Sequence, residues 1–188
     1  MRSIKTRKII GIDPGTNILG YAVLDITESP SVQDIGVLKL TSYPDHQTKL
    51  KEIFLQLQEV IETYLPQHMA IEAPFYGKNV QSMLKLGRAQ GVSMAAAMTM
   101  GLDIQEYSPK KIKLAITGNG NASKEQVARM LKHMLKFEVK EHYLDATDAL
   151  AAAVCHYHQM KHPLAGGSKV TNWKKFLTDN PSRVKTSL

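Results

Sequence analysis

The chain has 188 residues, of which 43% are hydrophobic, and a formal net charge of +7. This length predicts one domain with a substantial core. No segment approaches the roughly 18–20 uninterrupted apolar residues that a membrane-spanning helix needs, and residues 1–5 lead into the first predicted strand without room for a signal peptide. The single cysteine, Cys155, excludes an internal disulfide framework, and no Cys/His spacing indicates zinc. We therefore expect a cytoplasmic protein that does not contact the membrane.

Charge is unevenly distributed along the chain. Residues 1–8 carry four positive side chains and no acid, residues 161–188 have a net charge of +5, and residues 110–136 have a net charge of +6. The rest of the chain has a net charge of −8. Basic segments beside an acid-rich remainder are typical of a protein that binds a polyanion and also has a cation-binding centre. Because basic termini are often only solubilising tails, residues 110–136 are the stronger indication.

The first predicted element is an apolar strand that stops abruptly at Asp13. Pro14 and Gly15 follow, and neither continues a strand easily, since proline lacks an N–H and glycine favours positive φ. A second apolar run, Gly20–Leu24, comes almost at once, so we predict a strand, a tight turn and an antiparallel strand. Asp13 is then either a turn aspartate that caps its own loop or a cation ligand at the strand end.

The next segment alternates strand and helix patterns. Val32–Leu40 predicts a third strand that completes a meander, and residues 48–65 repeat apolar side chains at helical spacing until Pro66. His68–Ile71 has the size of a buried central strand. Like the first strand, it ends on an acid, Glu72.

Residues 79–100 predict a helix that is rich in small residues and methionine. Gly87 and Gly91 each cost about 1 kcal/mol relative to alanine in a helix, so close packing of another element is the expected compensation. A central core helix and a dimer interface both fit this pattern.

The segment that follows predicts a fifth strand and two helices. Leu102–Tyr107 is the strand, and Ser108, as N-cap before a proline, opens a short helix. Ser123 and Gln126 form a capping-box pattern for a helix that ends near Phe137. We predict that the inner face of this helix consists of Val127, Met130, Leu131, Met134 and Leu135.

A last helix is predicted from Leu144 to Gln159, and a polar, basic and disordered tail from residue 163 to residue 188. Residues 1–162 then form the folded domain. The elements together predict a mixed α/β protein without an internal repeat.

Two further carboxylates begin the last helix. Asp145 and Asp148 are three residues apart and share one helical face. The helix macrodipole favours acids there, which is a structural explanation for both. The rest of the helix is nearly all alanine, however, so this end must pack tightly against another element.

Asp13, Glu72, Asp145 and Asp148 would repel one another strongly if they converged in a partly buried site. A divalent cation relieves that repulsion, and hard oxygen ligands suit Mg²⁺ or Mn²⁺. Two such ions about 4 Å apart can activate a water and stabilise the leaving 3′ oxygen in phosphodiester hydrolysis.

Four ordered motifs give the chain a family resemblance. They are Gly11-Ile12-Asp13-Pro14-Gly15-Thr16, Ala70-Ile71-Glu72, Lys85-Leu86-Gly87-Arg88-Ala89-Gln90-Gly91 and Asp145-Ala146-Thr147-Asp148-Ala149-Leu150-Ala151. With them the chain resembles the RuvC family of bacterial Holliday-junction endonucleases, in register from about Lys8 to His158. The resemblance implies the RNase H-like (retroviral integrase-like) fold, with a five-stranded mixed sheet flanked by helices. It also implies a homodimer that makes paired nicks on strands of like polarity in four-way junction DNA, and the RuvA–RuvB branch-migration machinery as a partner.

The resemblance also implies roles for individual residues. The metal-binding catalytic acids are Asp13, Glu72, Asp145 and Asp148. Phe75 matches an aromatic side chain that stacks on a base near the crossover, for which Tyr76 is a competitor and a core position the structural alternative. Lys113 and Lys124 match contacts to the DNA backbone, whereas Lys78 and Lys85 are either further DNA contacts or solvated surface lysines. A role in proton transfer and a purely structural role stay open for His142, His156 and His158.

Three other functions share parts of these patterns. The Gly-Ile-Asp-x-Gly-Thr motif also opens the actin and sugar-kinase ATPases, but those proteins need two such domains and lack the Asp-x-x-Asp pair on a last helix. A junction-binding protein that has lost catalysis would not be expected to keep all four acids. An RNase H-like nuclease that acts on RNA is a further alternative.

Overall fold

The computed structural model describes residues 7–74, 79–136 and 144–161, and of Leu144 and Asp145 it describes the backbone alone. The chain divides into two units, residues 1–158 and residues 159–188, and the strands of the described residues belong to the first. The predicted tail, residues 163–188, lies outside the described residues, so the predicted domain boundary stays a prediction.

The described residues contain five strands and five helices. They are β1 (Lys8–Asp13), β2 (Ile18–Asp25), β3 (Ser31–Lys39), α1 (His46–Tyr64), β4 (His68–Glu72), α2 (Val80–Thr99), β5 (Asp103–Tyr107), α3 (Pro109–Thr117), α4 (Lys124–Leu135) and α5 (Leu144–Lys161). Each predicted element is present, with ends that differ by a few residues. None of these helices is long and apolar enough to cross a membrane.

The strands form one mixed sheet in the order β3-β2-β1-β4-β5. The three N-terminal strands are an antiparallel meander, and β1 pairs in parallel with β4, which pairs in parallel with β5. In the central pair, Gly11 lies opposite Ala70 and Ile12 lies opposite Ile71. The predicted five-stranded mixed sheet is therefore confirmed, and β1 is its central strand.

The two faces of the sheet are covered by different helices. Ile10 and Ile12 point to one face, where they join a core cluster with Ile53 and Leu57 of α1 and with Ala96 of α2. Successive side chains of a strand point to opposite faces, so residues 9, 11 and 13 of β1 belong to the other face.

Helix α5 packs on that second face at very short range. A Cβ atom at Gly11 would lie 2.0 Å from the backbone oxygen of Ala149 and 3.0 Å from the Cβ of Ala153. The alanines of α5 that follow Asp148 are all buried. Tight packing of this helix was predicted from its alanines and is confirmed. The packing depends on Gly11, because any side chain at this position would collide with the helix.

Among the described residues, the glycines of α2 do not have the core packing that was one of the two explanations for them, and the dimer interface stays a prediction. Nothing in the described part of the chain lies within 4 Å of a Cβ placed at Gly87 or Gly91, so no described element packs closely there. The buried face of α2 is instead the one with Ala89, Ser93 and Ala96. Gly87 and Gly91 belong to the opposite face, which the described residues leave open.

Helical spacing also assigned two exposed methionines to the inner face of α4. On α4, Val127 and Leu131 are buried as predicted, but Met130 and Met134 are each 38% exposed. This helix is short and has α3 as its main neighbour, so only the narrow strip that faces α3 and the core is covered. Leu65, the last residue of the predicted helix 48–65, is 68% exposed because it forms the left-handed C-cap of α1 before Pro66.

Candidate active site

Two of the predicted acids lie side by side at the carboxyl ends of neighbouring strands. Asp13 ends β1 and Glu72 ends β4, each one residue beyond the pair formed by Ile12 and Ile71. Since the strands are parallel and in register, both side chains point to the face covered by α5. A strand end holds a side chain rigidly and still leaves it open to a ligand.

The third acid comes from the helix above. Asp148 immediately precedes Ala149, the residue whose backbone touches Gly11. Contact between α5 and the middle of β1 therefore brings Asp148 to the strand end that carries Asp13. Gly11 is what permits this approach.

These three acids line one cavity of about 170 Å³, which we call the carboxylate pocket. It is lined by Asp13, Glu72, Asp148, Lys113, Lys124, Pro109, Ile112, Val127 and Ala151. Three of the four predicted acids and both of the lysines matched to the DNA backbone thus share one small cavity.

Helix caps position the two lysines. Helix α3, which carries Lys113, begins at Pro109 after Ser108, whose hydroxyl accepts a hydrogen bond from the N–H of Lys111. Lys124 is the first residue of α4, directly after Ser123, which forms the predicted capping box with Gln126. Each lysine therefore comes from a defined helix rather than from an irregular loop.

The carboxylates repel one another across the pocket. The pKa of Glu72 is raised to about 7, mainly by burial and then by the charge of Asp148, while Lys124 and Lys113 act in the opposite direction. Lys124 also forms an ion pair with Asp148, whose side chain is only 18% exposed. A positive charge beside these acids is thus already part of the site.

The chemistry of the donors fits a hard divalent cation. All of them are carboxylate oxygens, and the pKa of Glu72 is raised first by burial and then by the charge of Asp148, both of which a bound cation would offset. Within the described residues, no three His, Cys, Asp or Glu side chains are close enough together to hold a metal ion as they stand. The Asp145 side chain is not among those described, and Lys124 holds the Asp148 carboxylate, so binding an ion requires local rearrangement of side chains.

Several predicted residues lie elsewhere or outside the described residues. The side chains of Phe75, Tyr76, Lys78, His142 and Asp145 are not described. Lys85 is at a different cavity, which it shares with Asn17, His46 and Lys49.

The two described histidines of α5 have structural contacts. Nδ1 of His156 lies 2.7 Å from the Tyr107 hydroxyl, and its ring packs against His68 at 5.3 Å between ring centroids. His158 uses Nδ1 to contact the backbone oxygen of Ala115 at 3.2 Å. Neither histidine lines the carboxylate pocket.

Sequence reasoning missed Asn17, His46 and Lys49. Asn17 lies only four residues after Asp13, yet it accepts a hydrogen bond from Lys49 Nζ at 2.9 Å, across 32 residues of chain. No local pattern marks such a contact.

Comparisons with known proteins agree with this geometry. Residues 9–156 match the family model described as "Crossover junction endodeoxyribonuclease RuvC". Proteins of that name from Porphyromonas gingivalis and Bacteroides fragilis are 53% and 52% identical to this chain, and the matches cover 97% and 98% of it and the whole of each relative.

Solved structures give the same result. The structure titled as Thermus thermophilus RuvC in complex with Holliday junction substrate has a TM-score of 0.75 and 28% identity, covering 82% of this chain and 96% of that one. A yeast mitochondrial Holliday junction resolvase, with a TM-score of 0.60 and 16% identity over 83% of this chain and 81% of its own, shares the fold. The chain has the RNase H-like fold and belongs to the RuvC family of crossover junction endodeoxyribonucleases, the metal-dependent nucleases that resolve Holliday junctions.

Proposed function

We propose that the carboxylate pocket is where this chain hydrolyses a phosphodiester of a four-way DNA junction. The observation that carries the proposal is the convergence of Asp13, Glu72 and Asp148 with Lys113 and Lys124 on one cavity of about 170 Å³. Acids alone would suit a cation, and lysines alone would suit a phosphate. Both together suit a site where a cation and a phosphate meet.

We infer that Mg²⁺ is the natural cofactor, that Mn²⁺ substitutes for it, and that Asp145 completes the ligand set with the three acids of the pocket. Carboxylate-rich sites select such hard cations, which keep several waters and share oxygens with a phosphate. When two ions are bound, they supply an activated water and charge stabilisation for the leaving 3′ oxygen.

The lysines have a separate part in the proposal. Lys113 and Lys124 approach the pocket from α3 and α4, and their ammonium groups can neutralise phosphate oxygens on the strand to be cut. Lys124 pairs with Asp148 in the protein alone. A cation held by Asp148 would compete with Lys124 for the carboxylate, and the Lys124 ammonium would then be available to pair with a phosphate of the DNA.

We further propose that the chain acts as a homodimer through α2. The open face of this helix carries Val80, Leu84, Gly87, Gly91 and Met98, at the spacing that places residues on one side of a helix. Val80, Leu84 and Met98 are 62%, 51% and 59% exposed, and the glycines between them would let a second helix approach closely. Two copies joined in this way would supply two active sites for paired, symmetric nicks.

Other expectations stay predictions that rest on the family. Stacking of Phe75 on a base, DNA contact by Lys78 and cooperation with RuvA–RuvB are among them. A chromosomal substrate would put the protein in the cytoplasm.

The experiment that tests the function compares a labelled four-way junction with a linear duplex of the same sequence. We expect paired nicks on the junction alone, in Mg²⁺ and not in chelator. Junction binding without nicking across Mg²⁺ and Mn²⁺ would favour a binding protein that lacks catalysis, and equal nicking of the duplex would remove the selectivity for junctions.

A further inference from the structure

A second cavity, of about 480 Å³, lies beside the turn that follows Asp13. We call it the basic pocket. It is lined by Thr16, Asn17, Pro44, Asp45, His46, Lys49, Ser82, Lys85 and Leu86. Three separate segments thus meet there: the turn between β1 and β2, the start of α1 and the first turns of α2.

Positive charge dominates this pocket. Lys49 and Lys85 line it, and Arg88 is close enough to act on the charge of His46. Lys49 is held in place by its hydrogen bond to Asn17. Among the described lining residues the one carboxylate, Asp45, is occupied as the N-cap of α1, where it accepts hydrogen bonds from the N–H and the hydroxyl of Thr48 at 2.8 Å each.

His46 brings a buried polar atom to the pocket. Its Nε2 makes no hydrogen bond to any residue that the structure describes. Burial lowers the pKa of His46, and Arg88, Lys85 and Lys49 lower it further against the opposite effect of Asp45, which favours the neutral ring. In the tautomer with the proton on Nε2, this nitrogen can donate a hydrogen bond into the pocket. A buried donor left without a partner is unfavourable, and an anionic oxygen in the pocket would accept its hydrogen bond.

The backbone adds to the preference for an anion. Helices α1 and α2, of 19 and 20 residues, both begin at this pocket. The N-terminus of a helix carries partial positive charge, and its first N–H groups point outward. The basic pocket therefore combines cations, a neutral donor and two helix N-termini.

We propose that the basic pocket binds a backbone phosphate of the junction strand, a few nucleotides from the phosphodiester that lies in the carboxylate pocket. The inference rests on the proposed function, because it takes DNA as the source of the phosphate. Asp13 lines one pocket and Thr16 the other, and three residues of chain span at most about 11 Å. Since the phosphates of one DNA strand follow each other about every 3.4 Å along the helix axis, a few nucleotides cover that distance.

The test is the salt dependence of junction binding, measured in chelator so that no cutting takes place. Lys49→Gln and Lys85→Gln are compared with Lys51→Gln, which removes the same charge from an exposed position of α1 outside the pocket. The slope of log K against log salt falls by about one for each phosphate that the protein no longer neutralises. We expect both pocket variants to lower the slope by about one per protomer, and Lys51→Gln to leave it unchanged.

A second measurement asks whether the pocket also binds a free anion, while the slopes alone decide whether it binds DNA. Inorganic phosphate is titrated against the parent and Lys49→Gln, with the shift in thermal unfolding as readout. Slopes equal to that of Lys51→Gln would overturn the inference, whether or not phosphate stabilises the parent, because the pocket would then take at most a free anion. In that case junction-selective cutting by the parent would still stand. A parent that neither binds nor cuts junctions would overturn the proposed function and this inference together.

Discussion

Gly11→Ala tests how the fold builds the active site. The new Cβ would lie 2.0 Å from the backbone oxygen of Ala149, whereas real Cβ contacts are essentially never shorter than 3.0 Å. Helix α5 must therefore move away from β1 by about 1 Å, or the strand must move by as much. Asp148 is the residue next to that contact, so the same movement separates it from Asp13.

Two effects of this substitution have predictable sizes. Overpacking of a close-packed interior costs typically 1–3 kcal/mol of the free energy of unfolding. Misplacement of a catalytic group by 1 Å can lower a rate about 10²-fold. We expect the variant to fold with reduced stability and to cut junctions about 10²-fold more slowly, with much smaller effects on junction binding.

The assay measures urea unfolding and single-turnover cleavage for the parent, Gly11→Ala and the double variant Gly11→Ala/Ala153→Gly. The Ala153 Cβ is 3.0 Å from the new atom, whereas the closer obstacle is backbone, so removing that methyl should not restore activity. Full rescue by Ala153→Gly would refute the role given to the Ala149 backbone. Parent-like stability and cutting in Gly11→Ala would refute the close approach of α5 altogether.

Three other predictions concern pH, assembly and capping. Burial, and then the charge of His68, lower the pKa of His156 to about 4 from an ordinary 6.5, so the unfolded chain takes up a proton that the folded chain refuses. The contribution of His156 to the free energy of unfolding should be fully present above pH 6.5 and be lost as the pH falls towards 4, by ~2 kcal/mol once partial exposure is allowed for. His156→Asn should remove this pH-dependent part of the stability measured by urea unfolding, and an unchanged pH profile would contradict the assignment. Leu84→Arg should abolish the dimer in sedimentation, whereas Leu55→Arg, at a similarly exposed position of α1, should leave it intact. A dimer that survives both substitutions would place the interface elsewhere. Ser123→Ala removes the N-cap of α4 and should lower the free energy of unfolding, measured by thermal unfolding, by about 1 kcal/mol. It should also slow cutting because Lys124 is displaced, and unchanged stability would mean that the cap is dispensable.

The sheet and the strand-end acids were predictable because they depend on local patterns. Apolar runs that stop at Asp13 and Glu72 identify two buried strands and their ends. The alanines of α5 likewise identify a helix that packs closely. Such patterns need no knowledge of which elements are neighbours.

What could not be predicted depends on contacts between distant segments. Gly11 carries no mark of its role, because the close approach is made by Ala149, far along the chain. The contact between Asn17 and Lys49 is of the same kind. Met130 was misassigned because helical spacing identifies an apolar stripe without telling how much of it a neighbour covers.

The most direct test of the central claim is the single-turnover cleavage rate of Asp13→Asn on a four-way junction in Mg²⁺, with junction affinity measured in parallel. The matched control is Asp25→Asn, since Asp25 lies opposite Lys8 at the other end of the β1–β2 pair and keeps a turn hydrogen bond that an amide can also accept. We predict that Asp13→Asn binds the junction but does not cut it, and that Asp25→Asn does both like the parent. Cleavage by Asp13→Asn at the parent rate would contradict the assignment of the carboxylate pocket as the active site.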